Sequence, residues 1–411
     1  MVDSLYRNSI YLLLNMVVMT ATGFFFVLIV TKLYSQQDFG YATALIGTLA
    51  LAAGISNLGM NRTIIRFLGL SQTKLRDIAT MLALVSCGSL VVAVIMSLFF
   101  KSFGIKETST VLIVMFIASV IFMSVKVLLE NVFIATLDSI GVLIENTVFS
   151  IVRLVIPFLA VGFGYLGIFS AQLIAAIVAV TISIYLLKKR SLLKLRMKPS
   201  KVSMRGKWRF AFGSYTTDLV GGLPASVLPI LVVAKLGPVA GSLWYVSMQM
   251  INFLLAVSSS INQAMFAEMA NSKNGIKRFV IKATIVMYGL AIPLTASIYI
   301  FAPQLLRLFN GSYESATNLL RLMSIFALIG VANYITGSIL GFYGKVFYLT
   351  LVNTINAAVV ILYCSIIAKN LNGIAVGWMF GEIANVILFV GGAIYVSMRL
   401  NNENVQLDVI T

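Results

Sequence analysis

Twelve apolar runs, each long enough to cross a bilayer, follow one another at about 8–31, 39–59, 78–100, 109–135, 140–163, 167–187, 210–234, 240–264, 279–303, 316–340, 345–368 and 374–397. A spanning helix takes about 20 predominantly apolar residues. Inside hydrocarbon every backbone N–H and C=O must find its partner within the segment or a closed barrel, and runs of this length are helical. The expected fold class is therefore an all-α integral membrane protein. Hydrophobic residues make up 60% of the 411, well above the roughly 45–50% of soluble domains. What the runs leave over is turns and one longer connector, with no room for a folded soluble domain. The first run exceeds the 7–15 apolar residues of a signal peptide and reads as a retained helix.

The connector is Lys188–Arg209, with ten Lys or Arg in twenty-two residues and no carboxylate. A net charge of +17 raises the question of a polyanionic partner. The distribution excludes nucleic acid, because the basic residues sit in short segments on alternate sides of the apolar runs. Twenty-one of the thirty fall on the side holding both termini and the connector, and six on the other. By the positive-inside rule both termini face the cytoplasm, in the cytoplasmic (inner) membrane. Leu192, Leu193, Leu195 and Met197 interleave with the charges, a pattern expected of a short interfacial helix.

The connector divides the chain into 1–187, 188–209 and 210–411, two six-helix halves around a seam. Tyr6-Arg7 precedes a run ending at Lys32-Leu33, and Trp208-Arg209 one ending at Lys235-Leu236, with Arg-to-Lys separations of 25 and 26. Gly167-Ile168 and Gly373-Ile374 open the last helix of each half. Six spans per half give parallel repeats, an arrangement that places a substrate path at a central cavity between them.

The chain has no histidine, and its two cysteines form no spacing motif. Gly162, Gly164 and Gly167 match a dinucleotide-binding pattern by letter, but no strand precedes them. No phosphate-binding loop exists. These observations argue for no cofactor, no metal and no enzyme. A membrane glycosyltransferase or polymerase would need a sizeable catalytic loop, and the longest outer interval, around 303–315, is about a dozen residues.

Ionisable residues inside spans are costly unless paired or hydrated, so they mark candidate positions. Lys126 and Glu130 share one helical face. Glu145, Arg153, Arg321 and Glu382 lie in other runs. Asp218 lies in SYTTDLVGGLPASVLP, where Gly221, Gly222, Pro224 and Pro229 are expected to interrupt the helix. A carboxylate beside freed backbone carbonyls would bind H+ or Na+. Arg62 and Arg66, four apart, with Arg7 and Arg209, would ring the cytoplasmic mouth, where guanidinium forks suit phosphate oxygens. Positive-inside placement explains these arginines equally well.

Val30–Leu45, VTKLYSQQDFGYATAL, and Asn57–Phe67, NLGMNRTIIRF, resemble the start of the polysaccharide and O-antigen flippases of the multidrug/oligosaccharidyl-lipid/polysaccharide exporter superfamily. The positions that carry the resemblance are Asp38, Phe39, Gly40, Tyr41, Leu58, Gly59, Arg62 and Arg66. In the second half the corresponding turn, KLGPVAGSLWY, lacks the acidic-aromatic step. The resemblance implies a flippase that moves a polyprenyl-(pyro)phosphate-linked oligosaccharide by alternating access. Its lumen would be lined by Arg7, Arg62, Arg66, Lys126, Glu130, Arg153, Arg209 and Arg321, with Asp218 as the ion-coupling residue. The implied partners are the lipid-linked oligosaccharide, membrane lipids, H+ or Na+, and glycan-assembly proteins. The alternative within the superfamily is a drug or metabolite exporter with cation antiport.

Overall fold

In the computed structural model, residues 2–105, 108–192, 199–200, 204, 206–271, 276–343 and 345–403 are described. Among them there is no strand. Twelve helices are long and apolar enough to cross a membrane, each overlapping one expected run, and the chain is a multi-pass membrane protein. Among the described residues fourteen α-helices are formed: α1 (Val2–Leu33), α2 (Gln36–Ser56), α3 (Met60–Phe67), α4 (Lys74–Leu98), α5 (Thr110–Ala135), α6 (Ser139–Leu159), α7 (Tyr165–Lys189), α8 (Trp208–Leu236), α9 (Pro238–Asn271), α10 (Ile276–Ile300), α11 (Ala302–Arg307), α12 (Thr317–Phe342), α13 (Val346–Ile366) and α14 (Leu371–Glu403). Only α3 and α11 are too short to span.

Helix starts follow capping chemistry, in which a side-chain oxygen takes up an orphan N–H of the first turn. Ser109 Oγ accepts from the Leu112 N–H at the start of α5, and an Asp138 carboxylate oxygen from the Gly141 N–H at the start of α6. Ser35 caps α2 through the Asp38 N–H and donates its hydroxyl to Asp38 Oδ2 at 2.6 Å. The other carboxylate oxygen, Asp38 Oδ1, accepts from the Tyr165 N–H that opens α7. The acidic-aromatic-Gly-Tyr step thus ties the start of α2 to the start of α7. Phe39 is fully buried beneath it and meets the Tyr245 ring edge-on.

Between lipid-exposed helices association depends on close packing, and small residues let backbones approach. Gly40, Gly47 and Gly54 stand seven apart on α2. A Cβ at Gly40 would collide with the backbone of Pro238, and one at Gly47 would press on the Ser226 carbonyl of α8. At Gly54 it would touch only the Leu219 side chain, at 3.9 Å. Gly40→Ala should therefore cost about 1–3 kcal/mol through overpacking against backbone that cannot yield. Gly54→Ala should be near neutral. Thermal unfolding of the two detergent-purified variants compares them directly.

The chain forms two compact units, Met1–Gln249 with Pro303–Thr317, and Met250–Ala302 with Asn318–Thr411. By this grouping α8 and the first part of α9 belong with the first six spans. In the first unit, α1 packs on α6, α6 on α7, α4 on α5, and α2 on α8. One core cluster joins Met60, Ile64, Ile78, Phe133 and Ala211. In the second unit, Gly377 and Gly381 of α14 sit against Cys364, Tyr363 and Val360 of α13, a close approach that small residues permit.

The described parts of the connector are fastened to the first unit. Arg190 pairs with Asp138, the Ser200 N–H donates to Thr80 Oγ1 at 2.9 Å, and Lys207 Nζ lies 2.9 Å from Asp77 Oδ2. Met204 is buried in the core cluster beside α3 and α4. The interfacial helix expected around Leu192–Met197 falls largely on residues 193–198, outside the described residues.

Candidate functional site

A left-handed turn sets the geometry of the site. Leu58 and Gly59 have φ of 48° and 74°, a conformation costly for leucine and free for glycine. A Cβ at Gly59 would overlap the Ala211 carbonyl of α8, so the position is glycine for space as well as for dihedral. The turn redirects the chain into α3. Met60, Thr63 and Ile64 are buried on one face, while Arg62, Ile65 and Arg66 stand exposed on the other, at the helical spacing of an amphipathic segment.

Those arginines meet α8. Arg62 Nε and Nη2 donate to Asp218 Oδ2 and Oδ1, both at 2.7 Å, a bidentate fork of the strong kind. The carboxylate raises the Arg62 guanidinium above its ordinary pKa, chiefly through these hydrogen bonds, and Arg62 is charged throughout the physiological range. Both side chains remain about half exposed, 60% and 45%, so the pair is worth only about 0–1 kcal/mol to stability. Arg66 has its guanidinium carbon 4.5 Å above the Phe210 ring and 5.6 Å from Phe67, and these two rings meet edge-on at 5.5 Å. Asn61, Arg62, Ile65, Arg66, Asn131, Phe210 and Asp218 line one cavity of about 490 Å³. Two guanidinium groups face one carboxylate, so the lining carries a net positive charge. Arg66, without an ion pair among the described residues, rests on an aromatic face, where attraction to the ring holds it without neutralising it.

Asp218 does not sit at a broken helix. The interruption expected at Gly221–Pro229 is absent, and α8 runs unbroken through both prolines. Each proline removes one N–H donor, and a helix held by its neighbours tolerates that loss; Pro229 and Ile230 lie against Gly47 of α2. The carboxylate faces the Arg62 guanidinium.

Lys126 and Glu130 form the expected pair on α5, at 2.8 Å. Lys126 also donates to Asn146 Oδ1, Asn146 Nδ2 donates to Glu130 Oε1 at 3.1 Å, and Glu145 Oε1 lies 4.0 Å from the ammonium. The Glu145 side chain is 0% exposed. Arg153 on α6 stacks 4.0 Å above the Phe26 ring. With the Gln172 amide oriented to accept, its carbonyl oxygen lies 2.8 Å from Arg153 Nε. Arg209 is exposed at the start of α8. Arg7 belongs to α1, and its side chain lies outside the described residues. Arg321, in the second unit, donates to the Tyr299 carbonyl at 3.1 Å and lies 5.3 Å from the Tyr299 ring.

Arg62, Arg66 and Asp218 thus come together, Lys126 and Glu130 form a separate buried group, and Arg153 stands apart from both. Sequence reasoning passed over Asn61, Asn131, Phe210 and Ile65. The available signal was an aromatic beside a basic connector end, Phe210 next to Arg209, and a polar neighbour of Arg62.

Neither a family model nor a curated protein matches the chain. Solved structures do match over nearly its whole length. An inward-facing multidrug resistance MATE family transporter of the MOP superfamily is 15% identical, with a TM-score of 0.72 over 94% of this chain and 96% of that one. An outward-facing structure of such a transporter is 18% identical, with a TM-score of 0.65 over 97% of each chain. A MOP superfamily transporter from Pyrococcus furiosus, described as having a binding pocket of reverse polarity that suggests a different function, is 16% identical. Its TM-score is 0.64, over 98% of this chain and 96% of that one. The chain has the fold of these transporters.

Proposed function

We propose that the chain is a secondary transporter that works by alternating access and exports an amphipathic cargo with a phosphate-bearing head, a polyprenyl-(pyro)phosphate-linked oligosaccharide. The mode of action is supported by the full-length likeness to transporters solved in inward- and outward-facing conformations. The observation that carries the cargo assignment is the basic cavity in which Arg66, stacked on Phe210, faces no carboxylate of its own among the described residues. Arg62 would release Asp218 to a competing pyrophosphate, which offers its fork more acceptor oxygens at little cost, since the pair is half exposed. The flippase-like loop residues Asp38–Tyr41 and Leu58–Arg66 point to the same cargo.

The basic side of the topology, with Arg62 and Arg66, is assigned to the cytoplasm, and the membrane to the cytoplasmic (inner) membrane. A cargo with two negative charges leaving a negative interior would gain about 2.3 kcal/mol per charge for each 100 mV. The potential then drives export, with lipid tails remaining in the bilayer.

A second reading, export of drugs or metabolites against H+ or Na+, is favoured by the solved structures, whose descriptions name multidrug transport and no glycan. In that reading Asp218 is the cation-coupling group. Asp218→Asn separates the two. A phosphate-headed cargo predicts transport that persists, because the substitution frees Arg62. Cation antiport predicts near-complete loss, with Arg66→Ala almost silent. Delivery of lipid-linked glycan and efflux of ethidium, measured in the same cells at matched expression, give the comparison.

A further inference from the structure

Glu145 is the least accommodated ionisable group among the described residues. Its side chain is fully buried, and neither carboxylate oxygen has a hydrogen-bond partner. It lies on α6, against which α1, α5 and α7 pack. From α5 it faces Lys126, at 4.0 Å, and Glu130. From α7 it faces Ser183, which is close without hydrogen-bond geometry. No titratable group of α1 whose side chain is described acts on it, and the charged Lys32 of that helix is exposed at its far end.

The charge balance around it does not close. One ammonium, Lys126, stands against two carboxylates, Glu130 and Glu145. Glu130 takes the shorter ion pair, at 2.8 Å, and an N–H of Asn146 at 3.1 Å. The ammonium is further engaged by Asn146 Oδ1 and lies 5.3 Å from the Phe149 ring. A buried charge without pairing or hydrogen bonds is expensive, and the group neutralises instead. Two close carboxylates sharing one counter-ion cannot both stay ionised cheaply. Glu130 holds the partners, so the proton falls to Glu145. A metal cation is excluded there by the neighbouring ammonium.

We propose that Glu145 is a proton-binding site of the first unit, in which the Lys126–Glu130 pair is kept and Glu145 carries a proton that it exchanges as pH changes. The inference stands apart from the cargo assignment, since it needs only the α5–α6–α7 packing. A carboxyl that must be neutral to stay buried, and that would draw Lys126 away from Glu130 when ionised, makes this packing responsive to proton concentration.

Infrared difference spectroscopy of the purified full-length protein across pH reads the site directly. A protonated-carboxyl C=O band should titrate in the wild type and be lost in Glu145→Gln. In Glu130→Gln, which leaves one ammonium for one carboxyl, the same band should disappear at a pH lower by roughly one unit or more, because the like charge that held the proton is gone. Persistence of the titrating band in Glu145→Gln would overturn the proposal, as would an unchanged midpoint in Glu130→Gln. If Glu145→Gln does not fold, the Glu130→Gln shift alone decides the matter. A Glu145 that stays ionised across the whole range also overturns it.

Discussion

Lys126→Met should destabilise the first unit by about 3–5 kcal/mol, the cost of removing one partner from a buried ionic group. The length and volume of the side chain are nearly retained, so the effect isolates the charge. What remains is Glu130, whose ion pair is gone, and the Asn146 carbonyl, which loses its donor. Half-satisfied polar groups in a low-dielectric interior cost more than an apolar core of the same shape. The triple variant Lys126→Met, Glu130→Gln, Glu145→Gln removes every charge and should recover most of the loss, since replacing a whole buried ionic group is often close to neutral. Thermal unfolding in detergent, with the three single variants and the triple on one scale, checks both halves of the expectation. Equal loss in the single and the triple would mean that the side-chain packing, not the charge, carries the stability.

The second large effect concerns the cavity at α3 and α8. Replacing Arg62 and Arg66 together by alanine should lower transport of a pyrophosphate-headed cargo by more than tenfold. Hydrogen bonds to charged groups contribute about 1.5–3 kcal/mol each, and about 1.4 kcal/mol is a factor of ten. Stability should change little, because Arg62 and Arg66 are both exposed and the Arg62–Asp218 pair is of the weak surface kind. Arg66→Lys should rescue only part of the loss. A compact ammonium keeps the charge over Phe210 but lacks the planar fork that stacks on a ring and grips two oxygens at once. The measurement is translocation at matched membrane levels, with melting temperature as the control for folding. Loss of transport accompanied by an equal loss of stability would make these residues architectural.

The spans were legible because hydrocarbon leaves a helix no alternative: a run such as 109–135 cannot satisfy its backbone in any other local way. The structural meaning of the flippase-like loop was not legible. Asp38 reads as a surface acid, yet its carboxylate bridges the starts of α2 and α7, an interaction 127 residues apart in sequence. The Arg62–Asp218 fork joins positions 156 apart, and no periodicity reports such a pairing. The helix interruption expected beside Asp218 is absent for a different reason. Two glycines and two prolines weaken an isolated helix, but α2, through Gly47 and Gly54, lies close enough along α8 to support it. For Lys126 and Glu130 the spacing on one helix face gave the pair, while the third carboxylate, Glu145, arrives from the neighbouring helix.

Reconstitution of the purified protein into liposomes tests the central claim most directly. The probe is a fluorescent polyprenyl-pyrophosphate oligosaccharide, scored for movement between leaflets under an imposed membrane potential, with ethidium accumulation measured alongside. The account predicts potential-dependent translocation of the glycolipid, inhibition by soluble pyrophosphate, loss in the Arg62→Ala, Arg66→Ala double variant, and little movement of the dye. Dye transport driven by a proton or sodium gradient, with the glycolipid left in its original leaflet and Asp218→Asn inactive, would contradict it.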